Sequence, residues 1–378
     1  MSADDSRRGS KQLTDAQRLA WLRLIRSDRI GPATFRELLD HFGSAAAAIE
    51  AAPELARRGG RTIRICSLDS AEREITALDR LDARLVALGE SDYPAWLSHI
   101  DGAPPLIAVR GDAAIFPRPT VAIVGSRNAS ITGVKIAKGI AAELGHHGYT
   151  VASGLARGID TAAHEASLAT GTIAVLAGGL DRIYPPGNVE LAQAILDTGG
   201  IQLTEMPLGW EPRARDFPRR NRLVSGLALA VVVVEAAARS GSLITARLAG
   251  EQGRLVFAVP GSPLDPRSAG ANRLIRDGAH IVTDVEDILA EIAPMLGRSV
   301  ETSISIEKST PAPISTPASA DGDRQRLIAA LGSSPVELDD IVRFTGLAPA
   351  AVHYLLLEFD LAGRIARHPG GRVSLVMG

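Results

Sequence analysis

The stretch that decides the fold is residues 119–160, PTVAIVGSRNASITGVKIAKGIAAELGHHGYTVASGLARGID. It begins with a short apolar run, Thr120 to Val124, continues through an alanine-rich helical pattern, and reaches a second apolar run, Thr150 to Ala152. A strand, a helix and another strand in this order predict a βαβ unit, whose two strands lie parallel in one sheet. Glycines and polar residues follow both runs, which is where sheets of this kind bind ligands.

The same alternation continues along the chain to about residue 284. Further apolar runs occur at Thr172 to Leu176, Ile201 to Thr204, Leu229 to Val234, Leu255 to Val259 and His280 to Val282. Residues Val231 to Val234 are apolar at every position, as expected of a central strand covered on both faces. The predicted fold class is therefore α/β, with a Rossmann-like, doubly wound parallel sheet as the core, in residues 101–297.

Residues 1–100 are predicted to form an N-terminal helical, SAM-like domain, since apolar residues recur at helical spacing between residues 13 and 88. Arg29 to Thr34 joins two of these helices and resembles a helix-hairpin-helix element, whose turn amides could contact a phosphate. A tight connection within a helical bundle is the favoured interpretation. Residues 1–100 carry 15 cationic and 15 acidic side chains, and so offer a polyanion no net attraction.

Beyond the core, residues 298–322 are rich in Ser, Thr, Pro and Ala and are predicted to be a linker. Residues 323–378 show three helical patterns and then a hairpin that turns at Pro369 to Gly371, an order typical of a winged helix. Its third helix opens at Ala348 with no Arg or Lys for a base edge. A protein-contact or regulatory role is therefore favoured over duplex reading.

Composition excludes several classes of protein. The apolar share of 46% and the charged share of 22% fit a globular protein, and the longest apolar run, Leu227 to Val234, is far short of the ~20 residues of a membrane span. No secretion signal opens the chain, so the cytoplasm is the expected location. A single cysteine, Cys66, allows neither an intrachain disulfide nor a cysteine zinc site, and no metal or cofactor is expected.

The net charge of −2 hides an uneven distribution. Residues 117–284 contain 17 Arg and Lys against 14 Asp and Glu, a sum of +3, whereas the remainder contains 24 against 29, a sum of −5. The predicted α/β core therefore carries the positive excess, as a polyanion-binding region would.

Polar, glycine-containing segments follow four of the predicted strands and lead toward helices. Glycine lets backbone amides approach an anion, and a helix N-terminus adds about half a positive charge. Together with an arginine-rich helix start after Phe217, these segments predict a phosphate-binding rim. The rim residues are Gly125, Ser126, Arg127, Ser153, Gly154, Arg157, Gly158, Ser242 and Thr245, with Arg219, Arg220, Asn221 and Arg222 at the helix start. Tyr184 is the aromatic candidate for stacking nearest this rim.

No catalytic constellation accompanies the rim. The first turn reads GSRNAS rather than G-x-G-x-x-G, and no P-loop occurs, which disfavours dinucleotide oxidoreduction and nucleotide hydrolysis. Asp160 and His164 share one helix, but no nucleophile pairs with them, so helix capping and packing are their expected roles. Glu235 ends the buried strand and is expected to be structural.

Six segments, IVGSRNASITG, SGLARGIDTAAH, TIAVLAGGLDRIYPPGN, FPRRNRLVSGLA, VVVVEAAARSGSLITARLAGEQGRLVFAVPG and GANRLIRDGA, resemble the DprA/Smf DNA-processing family in order and spacing. The resemblance implies a protein without a chemical step that binds and protects incoming single-stranded DNA and helps load the RecA recombinase in natural transformation. It also implies a homodimer formed through the core, for which Leu274 to Ile281 is a candidate surface.

Carried onto this chain, the family's DNA pocket implies a defined set of residues. They are Ser126, Arg127, Ser153, Gly154, Arg157, Gly158, Arg182, Arg219, Asn221, Arg222 and Thr245. Arg182 enters the set through the resemblance alone.

Two alternatives remain at this point. One is an enzyme similar to lysine-decarboxylase-like nucleoside monophosphate phosphoribohydrolases, although residues 240–245 lack the glutamate of the P-G-G-x-G-T-x-x-E motif. The other is a nucleotide-sensing module that signals through the winged helix.

Overall fold

The computed structural model describes residues 12–296 and 321–376. Most of the predicted linker, residues 298–320, lies outside this range. The described residues divide into two compact units, one made of residues 73–296 and the other joining residues 13–72 to residues 321–376.

The first unit is built on one sheet of nine strands among the described residues. In chain order they are β1 (Ala83–Ala87), β2 (Leu106–Gly111), β3 (Thr120–Val124), β4 (Thr150–Ser153), β5 (Thr172–Val175), β6 (Ile201–Thr204), β7 (Ala230–Val233), β8 (Leu255–Ala258) and β9 (His280–Ile281). The spatial order is β1-β2-β6-β5-β4-β3-β7-β8-β9, and neighbours from β6 to β9 run parallel. All seven strands expected from the apolar runs are present, which confirms the predicted parallel sheet.

Strands β1 and β2 were not expected from the sequence. They add antiparallel to the β6 edge, so residues 83–111 belong to the sheet rather than to a helical domain that extends to residue 100. The pairing partner of β2 lies more than 90 residues further along the chain, and no local periodicity encodes such a contact.

Helices connect and cover the strands in both units. They are α1 (Asp15–Ile25), α2 (Pro32–Phe42), α3 (Ala45–Arg58), α4 (Leu68–Arg80), α5 (Ala95–Ser98), α6 (Ile131–His146), α7 (Ile159–Ser167), α8 (Val189–Asp197), α9 (Asp216–Leu227), α10 (Ser242–Glu251), α11 (Ala269–Arg276), α12 (Val285–Leu296), α13 (Asp321–Ala330), α14 (Leu338–Thr345) and α15 (Pro349–Leu361). Every helix in the described ranges is too short or too polar to traverse a lipid bilayer.

The core of the first unit lies around β3, β4 and β7. All five residues of β3 and all four of β7 are buried, and Leu144 of α6, Ile159 of α7 and Ile288 of α12 pack into the same cluster. Full burial of an aliphatic side chain contributes roughly 1.5–3 kcal/mol. The resulting cluster holds the ends of the three strands in fixed positions.

The order of the strands places a switch point at β3. The strand that follows it in the chain, β4, lies on one side, whereas β7 lies on the other. Connections leaving β3 and β7 therefore diverge, and a crevice opens between their carboxyl ends.

The second unit joins the helices α1 to α3 to a winged helix. In the latter, α13, α14 and α15 precede a hairpin of β10 (Ile365–His368) and β11 (Arg372–Leu375). Leu327, Ile341, Val352 and Phe359 form its core. The predicted winged-helix order is confirmed.

Candidate functional site

A cleft of about 800 Å³ occupies the crevice at the end of β3. Its lining comes from the connections that follow β3, β4, β5, β6 and β7 and from helices α7, α9 and α10. The residues that line it are Val124, Gly125, Ser126, Arg127, Asn128, Ala156, Asp160, Tyr184, Pro212, Ala214, Phe217, Pro218, Arg220, Asn221, Val224, Ala237, Arg239, Ser240, Gly241, Ser242, Ile244 and Thr245.

The connections after β3 and β4 are locked to each other. The amide of Ile159 donates a hydrogen bond of 3.2 Å to the carbonyl oxygen of Ser126. Gly158 precedes α7 with φ of 79°, and a Cβ atom there would lie 2.2 Å from the same oxygen. Only glycine fits this position, because both the backbone conformation and the contact exclude a side chain.

Arg127 is an exposed cation in the lining of the cleft. It is exposed, and its guanidinium carbon lies 5.3 Å from the centre of the Phe217 ring. No hydrogen bond or ion pair holds its head group within the described part of the chain. A guanidinium held over an aromatic face presents its fork in a defined direction, which suits phosphate recognition.

Two aromatic side chains form one wall beside Arg127. The rings of Tyr184 and Phe217 meet edge to face with centroids 5.4 Å apart, and Tyr184 is 49% exposed. This pair left only a weak signal in the sequence, because its members lie 33 positions apart and meet through tertiary packing. An exposed aromatic wall next to a cation offers a base a surface for stacking.

Asp216 sets the position of Phe217. Its buried carboxylate accepts hydrogen bonds of 2.9 Å from the indole Nε1 of Trp210 and from the amide of Arg213. The segment that leads into α9 is thereby closed into a turn, and the following residue, Phe217, is directed at the cleft.

Arg220 lies beneath the cleft and is almost wholly buried, with 5% exposure. Its Nη1 donates to the carbonyl oxygen of Val175, and a Cβ atom on Gly154 would lie 1.5 Å from that nitrogen. Its Nε atom has no partner in the described residues. The guanidinium therefore contributes a fixed positive charge from below the cleft rather than an extended arm.

Asp160 faces this buried cation. Its Oδ2 accepts hydrogen bonds from the amides of Gly154, at 3.1 Å, and Ala156, at 3.3 Å. Burial raises the pKa of Asp160, and the Arg220 charge opposes that shift. The amide of Gly154 is thus committed to a carboxylate, although the sequence predicted it as a phosphate donor.

His164 lies one turn further along α7 and is completely buried. Its Nδ1 is 2.7 Å from the hydroxyl of Thr172. Burial lowers the pKa of His164 to about 3, with the nearby Arg220 charge acting in the same direction. The imidazole is therefore neutral and packed, in line with its expected role.

Acid sensitivity of folding should trace to His164. Between its unfolded pKa of about 6.5 and its folded pKa of about 3, only the unfolded chain binds the proton, so stability falls as pH falls. We expect His164→Gln to flatten this dependence by about 1.4 kcal/mol per pH unit below about pH 6. Urea unfolding of both proteins across that range measures the difference, in which the opposing titration of Asp160 cancels. Parallel stability curves would contradict the assignment.

Half of the predicted site residues line the cleft. They are Gly125, Ser126, Arg127, Arg220, Asn221, Ser242 and Thr245. The hydroxyl of Ser242 is 2.6 Å from that of Ser240, and the side-chain amide of Asn221 donates to the carbonyl oxygen of Gly241 at 3.4 Å. The second of these contacts joins the start of α10 to α9.

The other predicted site residues lie outside the cleft lining, and most of them are held by contacts within the protein. Ser153 is buried and donates its hydroxyl to the Ile123 carbonyl oxygen at 2.6 Å, and Gly154 and Gly158 serve the packing described above. Arg157 is exposed but does not line the cleft. Arg182 pairs with Asp181, at 3.4 Å, and Glu211, at 3.1 Å.

Arg219 and Arg222 share one acidic partner. The Nε of Arg219 lies 2.9 Å from the buried carboxylate of Glu205, and Arg222 pairs with its second oxygen. Arg222 also donates to the carbonyl oxygen of Gly102 at 2.7 Å. The sequence did not reveal Glu205 as their partner.

The carboxylate of Glu235 is engaged at the start of α6. The carboxylate of Glu235 accepts hydrogen bonds from the amide of Ser130, at 2.9 Å, and from its hydroxyl. It thereby supports the start of α6, as expected of a structural residue. No group of His, Cys, Asp and Glu in residues 12–296 and 321–376 could hold a metal ion.

Comparison with known families assigns all three parts of the chain. The family described as DNA recombination-mediator protein A matches residues 84–293, a DprA-like N-terminal HHH domain matches residues 15–77, and a DprA winged helix domain matches residues 310–371. The first match alone covers more than half of the chain.

Curated relatives agree with these matches. The chain is 38% identical over 311 residues to the protein Smf of Escherichia coli strain K12, with 81% of each chain covered. It is 46% identical over 205 residues to the DNA processing protein DprA of Streptococcus pneumoniae, covering 53% of this chain and 71% of that protein.

Solved structures agree as well. The X-ray structure of the Streptococcus pneumoniae DprA has a TM-score of 0.61 at 34% identity and covers 74% of this chain and 99% of that one. A Helicobacter pylori DprA structure, described as revealing a unique single-stranded DNA binding mode, has a TM-score of 0.52 at 28% identity and covers 57% and 97%.

Proposed function

The chain belongs to the DprA/Smf family, and from that premise we propose that it binds single-stranded DNA in the cleft and acts as a recombination mediator in natural transformation. In this role it protects incoming DNA and helps load the RecA recombinase onto it. It performs no chemical step and needs no cofactor, and its place of action is the cytoplasm.

The observation that carries the proposal is the exposed guanidinium of Arg127, which has no hydrogen bond or ion pair among the described residues, beside the aromatic wall of Tyr184 and Phe217. A single strand presents a phosphate and an unstacked base at each nucleotide. A cation and a ring side by side match that alternation, and stacking of this kind tolerates every base.

Fixed charges strengthen the site for an anion. The buried guanidinium of Arg220 lies below the cleft, the N-terminus of α10 opens onto it, and the exposed side chain of Arg239 lines it. The charges of Arg220 and of the helix N-terminus are in place before a ligand arrives, so these two groups need no reorganisation to favour an anion.

The enzyme alternative is not favoured. Residues 240–245 lack the catalytic glutamate of the phosphoribohydrolase motif, and the carboxylate of Glu235 is occupied by Ser130. A module that senses a mononucleotide differs from a strand binder in one measurable respect, which is its response to salt.

Salt titration distinguishes a polymer site from a mononucleotide site. We expect the association constant for oligothymidylate to fall with salt, with log K dropping by ~0.7 per unit of log salt for each phosphate neutralised, and the cleft to neutralise about two to four phosphates. Thymidine monophosphate should bind far more weakly and change little. Fluorescence anisotropy at several salt concentrations measures both. Tight mononucleotide binding with a flat oligonucleotide response would refute the proposal.

A homodimer through the core and contact with RecA complete the proposed role. Strand β9 ends the sheet, and its Ile281 is 51% exposed, so segment 274–281 offers a further strand or an apolar surface to a second copy. Sedimentation of the intact chain tests the dimer, and a monomer at micromolar concentration would contradict it. RecA filament growth on an oligonucleotide coated with this protein tests the loading role, and growth no faster than without it would contradict that role.

A further inference from the structure

Helix α15 stands at the position where a winged helix carries its DNA-reading helix, yet it is buried on two faces. Val352, Leu355, Leu356 and Phe359 pack into the winged-helix core. Tyr354, Leu357 and Leu361 are also no more than 3% exposed, although they lie outside that core cluster. A reading helix needs one free face to enter a groove, whereas a helix that is apolar all round is covered all round.

The N-terminal domain covers the second face. Gly59 follows α3 and touches α15 so closely that a Cβ atom there would lie 2.5 Å from the carbonyl oxygen of Glu358 and 2.7 Å from the Cβ of Ala362. Beside it, Nη1 of Arg58 donates to the hydroxyl of Tyr354 at 3.2 Å. The two helices meet at backbone distance, with no room for DNA between them.

Charged groups fasten the same contact. Arg367 of the wing pairs through both terminal nitrogens with the carboxylate of Glu37 on α2, and its Nε lies 3.0 Å from Asp360. The hydroxyl of Thr34 donates to that Asp360 at 2.8 Å. The side chains of Arg367 and Glu37 are 27% and 29% exposed, so solvent screens their attraction less than on an open surface.

The turn between α1 and α2 of the N-terminal domain also faces the winged helix. A Cβ atom on Gly363, just after α15, would lie 1.9 Å from Nη1 of Arg29. The cation thus stands at the carboxyl end of α15, where a helix favours positive charge. Two elements of this unit could contact DNA, the turn between α1 and α2 and helix α15. These two elements therefore face each other.

We propose that the second face of α15 is a protein-docking surface whose occupant is the N-terminal domain of the same chain, so that this winged helix does not read duplex DNA. The wing arginine Arg367 serves as a clamp on that domain. This assignment is independent of the strand-binding cleft, since none of the residues that carry it lines the cleft.

Hydrogen exchange of the full chain tests the docking. Gly59 has φ of −70° and ψ of −4°, which any residue adopts, so Gly59→Gln acts as a wedge against α15 without local backbone strain. We expect amides of residues 349–361 to exchange at least about tenfold faster in this variant, while β3 and β4 keep their protection. Gly332→Gln is the matched control, because its site is exposed with open space around it, and it should behave as the wild type.

A charge exchange between the partners gives an independent measurement. Glu37→Arg alone and Arg367→Glu alone place like charges together and should accelerate exchange in α15, whereas the double variant should recover only part of the protection, because Asp360 then faces a carboxylate at position 367. Unchanged exchange in the wedge and in both single variants would overturn the proposal, as would a double variant no better than the singles. The proposal would also be overturned if a short hairpin of duplex DNA slowed amide exchange of residues 354–362 in the wild type.

Discussion

Arg127→Ala should weaken binding of oligothymidylate by about tenfold to a hundredfold. A charge-assisted hydrogen bond to phosphate contributes about 1.5–3 kcal/mol, and Arg127 is an exposed cation of the cleft whose head group no hydrogen bond or ion pair occupies in the described residues. The salt slope should also shrink by ~0.7, since one phosphate fewer is neutralised. Anisotropy titrations at moderate salt measure both quantities.

Two further variants sharpen this result. Arg127→Lys should recover only part of the affinity, because an ammonium keeps the charge but loses the fork and its fit over the Phe217 ring. Arg247→Ala is the control. Arg247 lies in the same domain, does not line the cleft, and pairs with Glu251 on the helix surface, so its removal should change affinity less than twofold. Affinity in Arg127→Ala equal to that of the wild type would remove Arg127 from the site.

Arg220→Met should lower the free energy of unfolding by about 1–3 kcal/mol, because it removes the cation that opposes the burial of the Asp160 carboxylate. The carbonyl oxygen of Val175 also loses its donor. Urea unfolding of the intact chain, followed by circular dichroism, measures the loss. DNA affinity would then fall because the cleft loosens and loses the charge below it, rather than because a direct contact to phosphate is lost.

A second substitution separates charge coupling from packing. Asp160→Asn added to Arg220→Met should restore part of the stability, because a neutral amide is cheaper to bury than an unpaired carboxylate. Arg247→Ala again serves as control and should change stability by no more than about 0.5 kcal/mol. A loss below about 1 kcal/mol in Arg220→Met, or a strictly additive double variant, would show that the two groups are not coupled.

The sequence predicts the parallel sheet well because its signal is local. In strands such as β3 and β7, four or five consecutive residues are enough to indicate burial on both faces. Strands β1 and β2 escape this reasoning, since they join the sheet through the pairing of β2 with the distant strand β6, to which β1 adds by pairing with β2.

The residues of the candidate site show the same difference between local and long-range signals. Arg127 follows a strand directly, and its position at the cleft could be predicted from that placement alone. The availability of Arg219, Arg220 and Arg222 could not, because it depends on partners far along the chain. Glu205 holds two of these arginines, while the third is enclosed beneath Gly154.

The interlocking of Gly158 with the carbonyl oxygen of Ser126 has a kinetic consequence. Two connections that share a hydrogen bond and leave no space for a methyl group move as one body. A strand reaching the cleft meets a receptor whose shape is already set, so capture should proceed in a single phase at a rate governed by encounter, without a slower isomerisation afterwards.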